Sequence, residues 1–140
     1  MKKHLFALIL LAITAVLAAC SNDEPPISVT VAEICQQESG TNITATGYLA
    51  LPGALICEAG QCKINFYDDT GSVLAELVAT DSPDSGKMQL PPNQYTADDL
   101  HFVLKDGTPG DRNTQVKITG PVRRPSDFSC YLDAYAVERP

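Results

Sequence analysis

Over Asn42 to Leu51 every second residue is apolar or glycine. Ile43, Ala45, Gly47, Leu49 and Leu51 fall on one side, and Asn42, Thr44, Thr46 and Tyr48 on the other. A period of two held for that long specifies a β-strand with one buried and one wetted face, because successive side chains alternate across a sheet. The pattern returns after a turn-like tip, where Cys62, Ile64 and Phe66 alternate with Lys63, Asn65 and Tyr67. Asp68-Asp69-Thr70-Gly71 carries turn chemistry and leads into a third strand, Ser72 to Thr80. Further strands are expected at Phe102 to Leu104, Gln115 to Arg124 and Cys130 to Glu138, with a Gly- and Asp-rich turn from Asp106 to Asn113. Ile27 to Ile34 alternates only in part, and Gln36 to Gly40 reads as a turn or a short helical stretch. Asp81 to Asp99, rich in Pro, Ser, Gly, Asn and Asp, is the long connection, and Thr96-Ala97-Asp98-Asp99 within it has the form of a helix start. No stretch sustains an amphipathic helix. The expectation is an all-β domain of five or six strands with at most a short helical turn.

The first residues follow other rules. Lys2 and Lys3 precede an apolar run from Leu5 to Leu17 broken only by Thr14. That is shorter than the roughly 20 residues a membrane-spanning helix needs, and it suits the apolar part of an export signal. Leu17-Ala18-Ala19-Cys20 follows and resembles the lipobox of bacterial lipoproteins. The resemblance implies cleavage before Cys20, a diacylglyceryl group on its thiol and, in many diderm bacteria, a further acyl chain such as palmitate on its amino group. On this reading residues 1–19 are the signal peptide, 20–26 a short lipid-anchored tether ending in Pro25 and Pro26, and 27–140 the exported domain. The chain would sit in the cell envelope. Ser21 resembles the residue at that place in lipoproteins sorted to the outer membrane, so the face toward the periplasm is favoured if the host is a diderm.

From Cys20 onward eight basic side chains stand against seventeen acidic ones, a formal charge of −9. Such a surface repels phosphate backbones and anionic headgroups, which argues against nucleic acid as a partner and against peripheral membrane adhesion beyond the lipid itself. The remaining cysteines, Cys35, Cys57, Cys62 and Cys130, are even in number in an exported chain and read as two disulfides. Three pairings are open. Cys57 with Cys62 is favoured because Glu58-Ala59-Gly60-Gln61 forms a turn-like tip between two strands, which leaves Cys35 with Cys130.

Two strands share a further feature. Ile43-Thr44-Ala45-Thr46-Gly47-Tyr48-Leu49 and Val116-Lys117-Ile118-Thr119-Gly120-Pro121-Val122 each carry glycine in mid-strand, where a sharp bend or a close backbone approach needs the side chain absent. With the order of strand, hairpin, Asp-Asp-Thr-Gly turn, third strand, long connection and final strands, the chain is similar to an OB-fold, a small five-stranded Greek-key barrel. The similarity spans roughly Ile27 to Glu138. A small immunoglobulin-like sandwich is the second choice, disfavoured by the single long connection and the lack of a core tryptophan. The OB-fold implies ligand binding on the face of its second and third strands. That face would carry Lys63, Asn65, Tyr67, Leu74, Glu76 and Val78, with tips at Leu51 to Gln61 and Asp81 to Tyr95.

Catalytic signatures are thin. Cys57 and Cys62 lack the two-residue spacing of a redox pair. His101 follows Asp98 and Asp99, yet a surface histidine at a strand start is the commoner arrangement. Asp68, Asp69, Asp81 and Asp84 do not form a recognisable calcium loop, and turn chemistry accounts for the first two. Tyr48, Tyr131 and Tyr135 read as strand residues with ring faces on the surface. No catalytic residue, metal or cofactor is expected. The expected function is that of a non-enzymatic binding or adaptor module, held to a membrane by lipid on Cys20 and contacting an envelope protein or glycan. The alternative is an envelope redox protein or enzyme using Cys57 and Cys62 or His101.

Overall fold

In the computed structural model, residues 24–140 are described, and the lipobox lies outside them. The long period-two segment forms β2, Asn42–Ala50. It follows a two-residue strand β1, Ile27–Ser28, and a 3-10 helix η1, Val31–Gln36. A short β3, Ile56–Glu58, folds back on β4, Gln61–Tyr67, and the turn at residues 68–71 leads to β5, Ser72–Thr80. β9, Val116–Ser126, and β10, Ser129–Asp133, complete the main strands, and β11, Ala136–Glu138, ends the sheet.

Five strands close on themselves. β2 pairs antiparallel with β4, β4 with β5, β9 with β10 and β2 with β9, while β5 and β10 run parallel. The circuit β2-β4-β5-β10-β9 and back to β2, with its single parallel pair, is the strand order of a five-stranded Greek-key barrel, an OB-fold. The alternation read from sequence faces inward as expected: Ile43, Ala45 and Leu49, then Cys62, Ile64 and Phe66, then Val73, Ala75 and Leu77 are all buried. Ile118, Val122 and Leu132 fill the opposite wall.

The two mid-strand glycines mark where backbone crowds backbone. A Cβ on Gly47 would strike the carbonyl oxygen of Tyr67 and come within 2.9 Å of the Phe66 ring. One on Gly120 would strike the carbonyl oxygen of Asp133. Opposite Gly120 the last strand breaks, with Leu132 pairing Val122 and Ala136 pairing Thr119, so one extra residue is absorbed between β10 and β11. The single strand expected over Cys130 to Glu138 is therefore two, separated by a bulge: β10 pairs with both β5 and β9, and β11 with β9.

The count of strands exceeds five or six because short segments close the barrel's ends. The long connection contains β6, Met88–Gln89, and a 3-10 turn η2, Ala97–Asp99; after it come β7, His101–Val103, where a strand is expected, and β8, Pro109–Asp111, inside the segment expected as a turn. These bury Met88, Leu100, Phe102 and Leu104 at one end. At the other end η1 packs Val31 and Ile34 against β2, β5 and β10. The helix starts earlier than the sequence reading placed it, because the Glu33 carboxylate accepts hydrogen bonds from the Thr30 amide at 2.9 Å and the Thr30 hydroxyl at 2.8 Å. The Thr-x-x-Glu spacing at Thr30 to Glu33 was the available signal.

Candidate functional site

β4 and β5 present to solvent the residues that alternate with the core. Their antiparallel register sets Lys63 against Glu76 and Asn65 against Leu74. The rows continue across the barrel: Ile56 pairs with Lys63 on one side, and Asp133 with Glu76 on the other. Ala50 pairs with Asn65, Leu74 with Tyr131, and Tyr131 with Arg123. Paired residues share a face, so these strands build one continuous outer surface.

Its centre is charged and its edges are apolar. The Lys63 ammonium lies 3.9 Å from the Glu76 carboxylate and 4.6 Å from the centre of the Tyr131 ring. The cation is thus shared between a carboxylate and a π face. Arg123 grips Asp133 with Nε at 3.0 Å and an Nη at 2.9 Å. Tyr67 packs on Tyr48, ring centres 5.9 Å apart. Around these groups Ile56, Tyr67, Leu74 and Val78 remain exposed.

Lys63, Asn65, Tyr67 and Glu76, proposed from sequence, therefore lie on one face. Sequence reasoning missed Tyr131, Arg123 and Asp133, which join that face only because β10 pairs in parallel with β5 across the closed barrel. The two tips named with it also meet: the Tyr95 hydroxyl donates to the Pro52 carbonyl at 2.7 Å, pinning the long connection to the loop after β2.

The other singled-out residues have local partners. Cys57 is bonded to Cys62 across the β3–β4 hairpin, and Cys35 to Cys130, joining η1 to β10. The Asp68 carboxylate accepts hydrogen bonds from the Thr70 amide and hydroxyl and the Gly71 amide within its turn, and from the Val31 amide at the start of η1. Burial pushes the Asp68 carboxyl up, but these four bonds together hold it below the ordinary carboxylate value. His101 is exposed at the start of β7. The carboxylates near it in sequence are engaged elsewhere, Asp99 by the Thr96 amide at 2.6 Å and Asp98 by Arg112 at 2.9 Å. Among the described residues no three His, Cys, Asp or Glu side chains cluster at metal-binding distance.

By strand order and register, then, the domain is a disulfide-bonded OB-fold barrel. No family model matches the chain, and no curated protein matches it in sequence. Among solved structures it is similar to the hypothetical protein ygiW from E. coli, with 14% identity over 81% of this chain and 90% of that one and a TM-score of 0.49. It is also similar to the telomere capping protein Ten1 from Saccharomyces pombe, with 10% identity over 82% and 81% of the two chains and a TM-score of 0.44.

Proposed function

We propose that this chain is a lipid-anchored, non-enzymatic OB-fold module of the cell envelope, which binds a protein or an envelope glycan through the outer face of β4 and β5. The observation that carries the reading is the makeup of that face. Exposed Ile56, Tyr67, Leu74 and Val78 surround a cation that is already paired with Glu76 and covered by Tyr131. An aromatic and aliphatic surface whose charges are internally matched suits a neutral partner surface or a sugar ring better than a polyanion. The anchor rests on the lipobox resemblance at Leu17 to Cys20, and an outer-membrane location on Ser21.

Two experiments test the two halves. A photo-crosslinking residue at Leu74 in living cells should trap one discrete envelope partner, whereas the same residue at Glu24 on the tether should not. Trapping of the same species from both positions, or of none, removes the binding-face reading. Cys20→Ala should leave an uncleaved precursor that takes up no fatty-acid probe, and normal labelling of that variant removes the anchor.

A further inference from the structure

One large apolar side chain stands apart from the proposed binding face. Phe128, in the loop between β9 and β10, is 100% exposed, the most exposed large hydrophobic residue among those described. Its loop is held firmly from behind. The Ser126 and Ser129 hydroxyls lie 2.8 Å apart, and Cys130, two residues after Phe128, is bonded to Cys35. A fully solvated phenyl ring at the tip of a braced hairpin contributes nothing to the core, and its burial elsewhere is favourable.

The fold fixes where that tip points relative to the chain's entry. β1 runs beside the start of β2, Ile27 against Ile43, so the tether arrives at that end of the barrel. The segment just before β2 is bound to the far half of β9: the Gly40 amide donates to the Val122 carbonyl at 2.8 Å and the Arg124 amide to the Ser39 hydroxyl at 3.3 Å. The Cys35–Cys130 bridge ties η1, four residues after Ile27, to the strand that follows Phe128. The β3–β4 hairpin and the long connection occupy the opposite end. Residues 20–26 reach at most about 25 Å when fully extended, so a chain anchored at Cys20 keeps the Phe128 end close to the lipid. Ile27, 45% exposed, lies at the same end.

We infer that the Phe128 loop is a second membrane contact, inserting its ring into the lipid interface beside the acylated cysteine and holding the domain with its β3–β4 end outward. The inference rests on the lipid-anchor reading. Because the exported chain carries a formal charge of −9, attraction to anionic headgroups does not supply the contact. Apolar insertion does, and it therefore persists in high salt.

The chain contains no tryptophan, so Phe128→Trp introduces a single indole reporter, and Ile56→Trp places one at the far end as a control. Each full-length variant is purified with its native processing, checked for acyl groups by mass spectrometry and reconstituted in phosphatidylethanolamine vesicles with a minor fraction of phosphatidylglycerol and brominated acyl chains. At a depth of about 5 to 10 Å the indole at position 128 should be quenched about twofold and blue-shifted, unchanged by high salt, while the one at position 56 is unaffected. An acylated chain in which position 128 stays unquenched overturns the inference and leaves the anchor standing. Equal quenching at both positions, or quenching abolished by salt, also overturns it. A chain found without acyl groups removes the anchor and this inference together.

Discussion

Asp68 shows how one turn residue organises two elements. One carboxylate oxygen collects the Thr70 and Gly71 bonds that shape the β4–β5 turn, and the other accepts the Val31 amide that opens η1. In Asp68→Asn the new amide nitrogen would face either a turn amide or the Val31 amide, donor against donor. A loss of about 1 to 2 kcal/mol is expected at neutral pH. Because the folded carboxyl titrates below the ordinary aspartate value of 3.8, its contribution is complete above that value and is lost as pH falls through the lowered one. Urea unfolding of parent and variant should therefore differ at pH 7 and converge in acid; a gap independent of pH would rule out the charge-assisted bonds. Glycines give a second test at this scale. Gly120→Ala forces a methyl onto the Asp133 carbonyl and should cost about 3 kcal/mol, whereas Gly53→Ala, with nothing within 4 Å of its Cβ, should be close to neutral. Similar midpoints for the two variants would contradict the close approach of β9 to the β10–β11 bulge.

Between elements, the two disulfides do unequal work. Cys35–Cys130 closes a span of 95 residues and fastens η1 to the last barrel strand, while Cys57–Cys62 spans only 5. Loop-closure entropy predicts about 4.7 kcal/mol for the first and roughly 2 for the second. Thermal unfolding of Cys35→Ala/Cys130→Ala should thus fall well below that of Cys57→Ala/Cys62→Ala, and the reverse order would refute this account. The same elements show what the sequence could and could not disclose. β2 and β4 are legible because each has a full run of alternation with one wet face, and β5 because an apolar run broken only by Glu76 follows the turn at Asp68 to Gly71. β11 is not separable from β10 in the sequence because a bulge leaves no mark in local periodicity, and Gly120, against which the Asp133 carbonyl presses, lies in another strand. β6 and β8 are illegible for a different reason: at two and three residues they are too short to repeat the two-residue period, and they exist by pairing. The face holding Lys63, Asn65, Tyr67 and Glu76 could be drawn from two adjacent strands, but Tyr131 over Lys63 required the parallel closure of the barrel.

At the scale of the whole molecule, the OB-fold invites a nucleic-acid reading that the surface does not support. A groove that tracks single strands needs several free Lys or Arg side chains along the backbone's path, with aromatic rings on which bases stack. Here the rings are present in Tyr48, Tyr67 and Tyr131, but the cations are spent: Lys63 lies against Glu76, and Arg123 is held by Asp133 through two nitrogens. Stacking contributes about 1 to 3 kcal/mol per base, and it must act against the repulsion of a chain whose residues 20–140 carry a formal charge of −9. No binding of single-stranded DNA or RNA oligonucleotides is therefore expected at micromolar protein in physiological salt, measured by fluorescence anisotropy. The charge argument makes a sharper demand on a variant. Glu76→Gln with Asp133→Asn frees both cations on the aromatic face without removing a ring, so any latent affinity should appear in that double variant first and weaken as salt rises. Salt-sensitive binding by the parent chain would mean that the matched charges do not govern this face, and would return a polyanion to consideration as its partner.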